Sequence, residues 1–178
     1  MSKKRTRWGT LTLVENPPVP EGMGDPVGGP VSDKVPRVIA LHGNGTYIGR
    51  VRTSPGGYPQ TMIDLAYISS GHCRFFLRRR LGGGGDGGAG GEFEAAVEDT
   101  SSNGTCVNSV KLGKKKTSAL KAGDRIALYM AMSNSPLGRP ILYDLQLDEE
   151  MFPKAVLEKT VLVAGAGKRG KGGAAGAA

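Results

Sequence analysis

Short stretches of alternating apolar and polar residues recur along this chain, and none of them continues with the 3.6-residue repeat of a long helix. Turn-forming residues separate the stretches, since the chain contains 29 glycines and 11 prolines. Alternation over four to eight residues is typical of strands with one buried face. The sequence therefore predicts an all-β protein, an antiparallel β-sandwich of about ten to eleven short strands with disordered basic tails.

The predicted strands comprise residues 8–14, 37–41, 46–49, 61–65, 73–78, 92–97, 105–108, 110–112, 124–130 and 141–147. A turn at His42–Gly45 contains Asn44-Gly45, which is a strong hairpin signal. Residues 120–123 are predicted to form another turn. Residues 82–91 hold eight glycines in ten positions, which predicts a flexible hairpin insert. A phosphate cradle is not expected there, because no helix follows these glycines.

The net charge of +8 lies mainly at the two ends of the chain. Basic residues within Lys3–Arg7 and Lys168–Lys171 carry seven of these charges, which leaves one for the middle. A nucleic-acid-binding domain would carry its charge on a folded face, so direct nucleic-acid binding is not expected. Solvated tails are the favoured interpretation, with a nuclear-localisation signal at Lys3–Arg7 as the alternative. The run Lys114–Lys116 is interpreted as a solvated edge, or as a basic segment that attracts a phosphorylated partner.

Several function classes are excluded by what the sequence contains. No apolar run reaches the length of a membrane span, and no apolar segment follows the basic N-terminus as a secretory signal requires. Cys73 and Cys106 lie in apolar strand patterns and are interpreted as small buried hydrophobes of a reducing compartment. Two histidines and two cysteines at these spacings match no metal site, so no metal is expected. No cofactor and no small-molecule substrate are expected either.

Four polar clusters stand in order where apolar runs give way to loops. They are Gly49-Arg50, Ser69-x-x-His72, Asn103-Gly104 and Asn108. Arginine offers planar, permanently charged donors, while serine and asparagine offer neutral donors. If the loops converge, the residues form a phosphate-binding site.

This ordered set resembles the forkhead-associated (FHA) domain, a module that binds phosphothreonine peptides. The resemblance implies that Arg50 binds phosphate oxygens and that Ser69 donates its hydroxyl to them. It also implies a backbone or hydroxyl contact from Ser70 and a phosphate contact from Ser102. Asn103 would hydrogen-bond the peptide main chain beside the phosphothreonine. Family members often carry a longer polar or basic side chain at the position of Ser70, so its contact is expected to be weaker or different.

The remaining matched residues are expected to be structural. Gly49 accompanies Arg50, and Gly104 allows its loop to turn tightly. Asn108 is expected to tie down a loop. His72 could be read as a catalytic base, but no nucleophile or acid partner is suggested by the sequence, and in the family pattern this histidine braces the binding loops. No catalytic residue is therefore expected.

The flanks resemble the segment that joins the FHA domain to the kinase domain in DNA-damage checkpoint effector kinases. The resemblance lies in Trp8, Asp144–Ala155 and Glu158–Leu162. Gly165–Gly170 fits the pattern GxGxxG of a kinase glycine loop, but only glycine, alanine and lysine follow it. Gly172 also stands where a P-loop requires Ser or Thr. A low-complexity tail is the favoured interpretation.

The predicted organisation is as follows: a disordered basic tail at 1–7, an FHA domain at 8–147 with its insert at 82–91, a linker at 148–164 and a low-complexity tail at 165–178. The predicted function is non-catalytic binding of a phosphothreonine-containing protein in Ser/Thr kinase signalling of the checkpoint type. The alternative is the truncated N-terminal part of a checkpoint protein serine/threonine kinase whose catalytic domain is absent from this chain. The chain contains no Ser-Gln or Thr-Gln dipeptide, so self-association through such phosphorylated sites is not expected. The expected location is the nucleus, with the cytoplasm as a further compartment.

Overall fold

A computed structural model describes residues 6–15, 33–43, 45–51, 58–79, 93–130 and 140–152. These residues contain eleven strands and no helix. In chain order the strands are β1 (Arg7–Leu13), β2 (Val38–His42), β3 (Thr46–Gly49), β4 (Gln60–Met62), β5 (Cys73–Arg79), β6 (Phe93–Asp99), β7 (Cys106–Val107), β8 (Val110–Lys111), β9 (Thr117–Leu120), β10 (Arg125–Tyr129) and β11 (Ile141–Leu147).

The strands form two sheets, which confirms the predicted β-sandwich. The six-stranded sheet has the order β2-β1-β11-β10-β7-β8, and the five-stranded sheet has the order β4-β3-β5-β6-β9. All neighbouring strands are antiparallel except β3 and β4, which are parallel. The second sheet is therefore mixed, since this one pair is parallel within the antiparallel sandwich that the sequence predicts.

Alternating side chains of both sheets form the buried core, as the pattern in the sequence predicts. Trp8 and Leu11 of β1 are buried, as are Phe75 of β5 and Ile126 of β10. Tyr143 of β11 is also buried, and its hydroxyl donates a hydrogen bond of 2.8 Å to the carbonyl oxygen of Pro36.

The turn after β2 does not form the predicted hairpin. β2 belongs to the six-stranded sheet and β3 to the five-stranded sheet, so this turn carries the chain from one sheet to the other. The Thr46 hydroxyl oxygen accepts a hydrogen bond of 2.9 Å from the His42 N–H, a bond that closes the corner through a side chain. The hairpin prediction at Asn44-Gly45 was therefore wrong, because a tight turn alone does not decide which sheet the next strand joins.

Two further boundaries differ from the prediction. β9, which pairs with β6, was not predicted, because Thr-Ser-Ala-Leu does not alternate clearly and directly follows a lysine run. β1 begins at Arg7, inside the segment predicted to be disordered, and the Arg7 guanidinium forms an ion pair of 3.1 Å with Asp148. Both cysteines are buried and unpaired, which confirms their prediction as core residues.

Several predicted segments lie outside the described residues: 1–5 of the N-terminal tail, the insert 82–91, and residues 153–178 of the linker and C-terminal tail. By their contacts, residues up to Asp148 form one unit. The described residues of the second unit, 149–152, form a turn. In the described part of the chain no helix is long and apolar enough to cross a membrane.

Candidate functional site

Strand pairing brings three loops together at one end of the five-stranded sheet, where strands β3, β5 and β6 begin or end. Ile48 at the end of β3 pairs with Cys73 at the start of β5, and Cys73 also pairs with Asp99 at the end of β6. The three loops are named here by the polar residue each carries: the Arg50 loop (residues 49–51), the Ser69 loop (67–72) and the Asn103 loop (100–105). The antiparallel register alone therefore requires these loops to be neighbours.

The Arg50 loop is hydrogen-bonded directly to the Ser69 loop. The backbone N–H of Arg50 donates to the carbonyl oxygen of Ser69 at 2.9 Å, and that of Val51 donates to Ser70 at 3.4 Å. The Arg50 side chain, which is half-buried, donates from Nε to the carbonyl oxygen of Ile68 at 3.2 Å. This bond orients the guanidinium plane, and the terminal amino groups carry the remaining donors.

Gly49 is the residue that allows this close approach. A Cβ atom at Gly49 would collide with the carbonyl oxygen of Ser70 and would lie 3.0 Å from its carbonyl carbon and 3.1 Å from Cα of Gly71. These obstacles are backbone atoms, so relief would require the Ser69 loop to move away.

The Ser69 loop is in turn bonded to the Asn103 loop at four points, one of which is a backbone bond of 2.9 Å from the Thr100 N–H to the carbonyl oxygen of His72. The N–H of Ser102 donates to Oγ of Ser69 at 2.9 Å, and Nδ2 of Asn103 donates to the carbonyl oxygen of Tyr67 at 2.8 Å. Oγ1 of Thr100 donates to the carbonyl oxygen of Gly71 at 2.9 Å. Because Oγ of Ser69 accepts the Ser102 bond, its own hydroxyl proton can be donated to a ligand.

A buried carboxylate determines the shape of the Asn103 loop. Oδ1 of Asp99 accepts hydrogen bonds from the Ser101 N–H at 2.9 Å, the Ser101 hydroxyl at 2.6 Å and the Thr105 hydroxyl at 3.1 Å. Oγ of Ser101 then accepts a bond of 2.7 Å from the Gly104 N–H. Burial by itself raises the pKa of Asp99, but the hydrogen bonds from Ser101 and Thr105 outweigh it and lower the pKa.

These buried residues are the part of the site that sequence reasoning missed. Asp99, Ser101 and Thr105 were not assigned a role, although Asp-x-Ser is a known signature of a side chain that bonds its own backbone two residues on. That pattern could have identified the aspartate as the residue that sets the loop.

His72 connects the core to the Ser69 loop. Its side chain is fully buried, and Nδ1 accepts a hydrogen bond of 3.2 Å from the Ser69 N–H. An acceptor Nδ1 requires the neutral imidazole with its proton on Nε2. Burial lowers the pKa of His72 and outweighs the opposing attraction of the Asp99 carboxylate. The imidazole is therefore positioned to brace the loop and has no exposed surface to offer a substrate.

Gly104 and Asn108 lie at opposite ends of β7. Gly104 has a φ of +100°, a backbone conformation that side chains disfavour. Asn108 donates from Nδ2 to Asp124 at 2.8 Å and accepts from the Arg125 N–H at 2.9 Å, so it ties the β7–β8 turn to the start of β10.

The structure brings together Arg50, Ser69, Ser102 and Asn103, while Ser70 lies exposed beside Ser69. Asn108 makes its side-chain bonds away from these loops. No group of metal-ligating side chains occurs within the described ranges. The binding roles of these residues remain predictions. What the geometry provides is one permanent cation with hydroxyl and amide donors around it.

Residues 46–129, which include all three loops, match the family model of the FHA domain. This chain contains an FHA domain. The matched segment covers every residue of the predicted site, which confirms the resemblance drawn from the sequence. An FHA domain is a binding module rather than a catalytic domain.

Two solved structures that contain the FHA2 domain of Rad53 share this fold. A structure containing the FHA2 domain of Rad53, described as a phosphotyrosine-binding domain, has a TM-score of 0.56 and 18% identity, covering 80% of this chain and 68% of that one. The same domain with a phosphotyrosyl peptide from Rad9 has a TM-score of 0.52 and 17% identity, covering 80% and 77%. The N-terminal FHA domain of Rad53 from S. cerevisiae, bound to a phosphothreonine peptide, has a TM-score of 0.47 and 15% identity, covering 80% and 95%. None of the curated proteins compared with this chain matches it significantly.

Replacing Gly49 by alanine should displace the Ser69 loop and destabilise the domain by about 1–3 kcal/mol, because the new methyl group meets backbone atoms. The free energy of unfolding in urea measures this loss. Gly45→Ala is the matched control, since a Cβ there would lie 3.5 Å from its nearest neighbour, and it should change stability by less than about 1 kcal/mol. Equal effects of the two substitutions would contradict this account of Gly49.

Stability should fall as the pH drops below the ordinary histidine pKa of 6.5. In the unfolded chain His72 takes up a proton there, whereas the folded domain keeps it neutral to lower pH, so acid favours unfolding. Between pH 7.5 and 5.5 the free energy of unfolding should decrease, and a single histidine can contribute at most about 1.4 kcal/mol to this decrease.

Urea titrations at both pH values measure this difference. His72→Asn retains an acceptor oxygen for the Ser69 N–H, and its free energy of unfolding should change little between the two pH values. The control His42→Asn should show the same decrease as the original protein. A decrease that is unchanged in His72→Asn would show that His72 is not its source.

Proposed function

We propose that this FHA domain binds a phosphothreonine-containing partner protein through its Arg50, Ser69 and Asn103 loops. The observation that carries the proposal is the set of hydrogen bonds that holds these loops together: Arg50 to Ile68, Ser102 to Ser69 and Asn103 to Tyr67. Because every bond is made by the protein itself, the donors are ordered before a ligand arrives, which lowers the entropic cost of binding.

The donors suit a phosphate ester. The Arg50 guanidinium would form charge-assisted hydrogen bonds with phosphate oxygens, which are stronger than bonds between neutral groups. The Ser69 hydroxyl would donate to another oxygen, and Ser70 and Ser102 would add contacts at the rim. Asn103 would bond the peptide main chain beside the phosphorylated residue, using the amide atoms that do not contact Tyr67.

Exposure of the donors favours a protein ligand over a small molecule. Ser102 and Asn103 are exposed and Arg50 is half-buried, whereas the residues that position them, His72 and Asp99, are fully buried. A site on an open rim can take a phosphorylated loop of another protein, while small molecules are usually enclosed by a pocket.

We further propose that the domain acts in Ser/Thr kinase signalling of the DNA-damage checkpoint type, in the nucleus. The resemblance of residues 144–162 to the segment that precedes the kinase domain in checkpoint effector kinases supports this context. The similarity to Rad53 domains supports it only through the shared fold.

The experiment compares phosphothreonine, phosphotyrosine and unphosphorylated versions of one peptide by calorimetry with the full chain. The phosphotyrosine peptide is needed because a Rad53 FHA2 structure contains a phosphotyrosyl peptide. The phosphothreonine peptide should bind most tightly, and the unphosphorylated peptide should not bind. Tighter binding of the phosphotyrosine peptide would contradict the assignment to phosphothreonine.

Arg50→Ala should weaken binding of the phosphothreonine peptide about ten- to hundred-fold, because a hydrogen bond to a charged group contributes roughly 1.5–3 kcal/mol. Arg79→Ala is the matched control. Arg79 is exposed at the far end of β5, about 20 Å along the strand from the Ser69 loop, and its removal should leave affinity unchanged. The thermal unfolding temperatures of both variants should match that of the original protein. Normal binding of the phosphothreonine peptide by Arg50→Ala would rule out the phosphate-binding role proposed for Arg50.

A further inference from the structure

Four lysines lie on the segment that follows the Asn103 loop. Lys111 ends β8, and Lys114, Lys115 and Lys116 form the turn that leads into β9. All four are exposed, and together they are called the basic flank. The sequence alone favoured a solvated edge for this run, but the structure shows how the segment is held.

Lys111 lies directly over the Asn103 loop. A Cβ atom at Gly104 would collide with Cε of Lys111 and would lie 3.0 Å from its Nζ. The aliphatic part of the side chain therefore packs on the Gly104 backbone, and its ammonium group stays within a few ångströms of the residue that follows Asn103.

The lysine turn is anchored to the base of the same loop. The Lys115 N–H donates to the carbonyl oxygen of Asp99 at 2.6 Å, and the Asp99 N–H donates to the carbonyl oxygen of Lys116 at 2.9 Å. Between the two lysine groups, the Leu112 N–H donates to the carbonyl oxygen of Thr105 at 2.9 Å. The basic flank thus runs beside the Asn103 loop along its length and does not extend freely into solvent.

No acidic side chain neutralises this flank in the described part of the chain. Residues 99–121 contain five lysines and one acid, Asp99, which is buried and bonded to its own loop. By contrast, the described arginines at positions 7, 37, 74, 78 and 125 each form an ion pair with a carboxylate. The flank is therefore a local excess of positive charge at one side of the predicted phosphate site.

We propose that the basic flank selects phosphothreonine ligands that carry a second negative group, an acidic side chain or another phosphate, within a few residues of the phosphothreonine. This inference rests on the proposed function, because it places the flank at the rim of the Arg50, Ser69 and Asn103 site. Each exposed ion pair contributes little on its own, but several lysines facing one acidic segment act together.

The experiment uses the full chain and a set of phosphothreonine peptides: one with neutral flanking residues, two with glutamates either before or after the phosphothreonine, and two with a second phosphothreonine on either side. At low salt the best acidic peptide should bind about five- to tenfold tighter than the neutral peptide. This preference should shrink as salt rises, because exposed charges are screened.

The variant K111Q/K114Q/K115Q/K116Q should bind all peptides with about the affinity of the neutral peptide. Glutamine keeps the side chain from Cβ to Cδ but has an amide atom in place of Cε, the Lys111 atom nearest to Gly104. K111Q alone should lose part of the preference, and thermal unfolding checks that this variant is folded. Lys121→Gln is the matched control: it removes the same charge about 16 Å further along the chain than Lys116, beyond the end of β9, and should keep the full preference.

A preference that persists in the quadruple variant, or no preference in the original protein, would overturn the inference while leaving the proposed function intact. Failure of the neutral phosphothreonine peptide to bind in an Arg50-dependent way would overturn the proposed function and the inference with it. Duplex DNA binding that the quadruple variant loses, without any preference among peptides, would assign the flank to nucleic acid instead.

Discussion

The arrangement of the Asn103 loop and the basic flank depends on one residue, Asp99, whose carboxylate is buried. Its side chain holds Ser101 and Thr105 and so sets the Asn103 loop, while its backbone N–H and C=O hold the lysine turn. A buried charge is costly unless hydrogen bonds satisfy it, and those bonds explain why its pKa is lowered although burial alone would raise it. The Asn103 loop and the basic flank are therefore parts of one hydrogen-bonded unit.

In the proposed site, positioning and recognition are divided between two kinds of residue. Fully buried polar groups, including His72 and Asp99, fix the backbone of the loops, and more exposed groups such as Ser102 and Asn103 face outward. In the contact from Ser102 to Ser69, a backbone N–H donates to the Ser69 hydroxyl oxygen, so the hydroxyl proton of Ser69 can still be donated to a ligand. The terminal amino groups of Arg50 can donate to a ligand as well. This division explains how short, irregular loops are held in a defined arrangement without metal ions or disulfides among the described residues.

Much of this organisation could be predicted from the sequence, for physical reasons that differ by element. β11 was predicted at its observed bounds because apolar and polar residues alternate from Tyr143 to Leu147, and Pro140 and Asp148 bound the segment. The convergence of Arg50 and Ser69 follows once β3 and β5 are paired. The Asn44-Gly45 hairpin was wrong because local turn chemistry carries no information about sheet membership. The role of Asp99 was missed although the local pattern Asp-x-Ser could have indicated it. The course of the lysine turn was missed because it depends on hydrogen bonds between distant backbone groups, which no local pattern reports.

The central claim is that donors from three loops bind one phosphate group on a partner chain. Titrating the isotope-labelled full chain with a phosphothreonine peptide and following backbone amide resonances by NMR tests it most directly. The account predicts that the largest shifts occur at Arg50, Ser69, Ser70, Ser102 and Asn103, and that the Asn108–Ser109 turn shifts little. Shifts centred on that turn or on the outer face of either sheet, with those five residues unmoved, would contradict it.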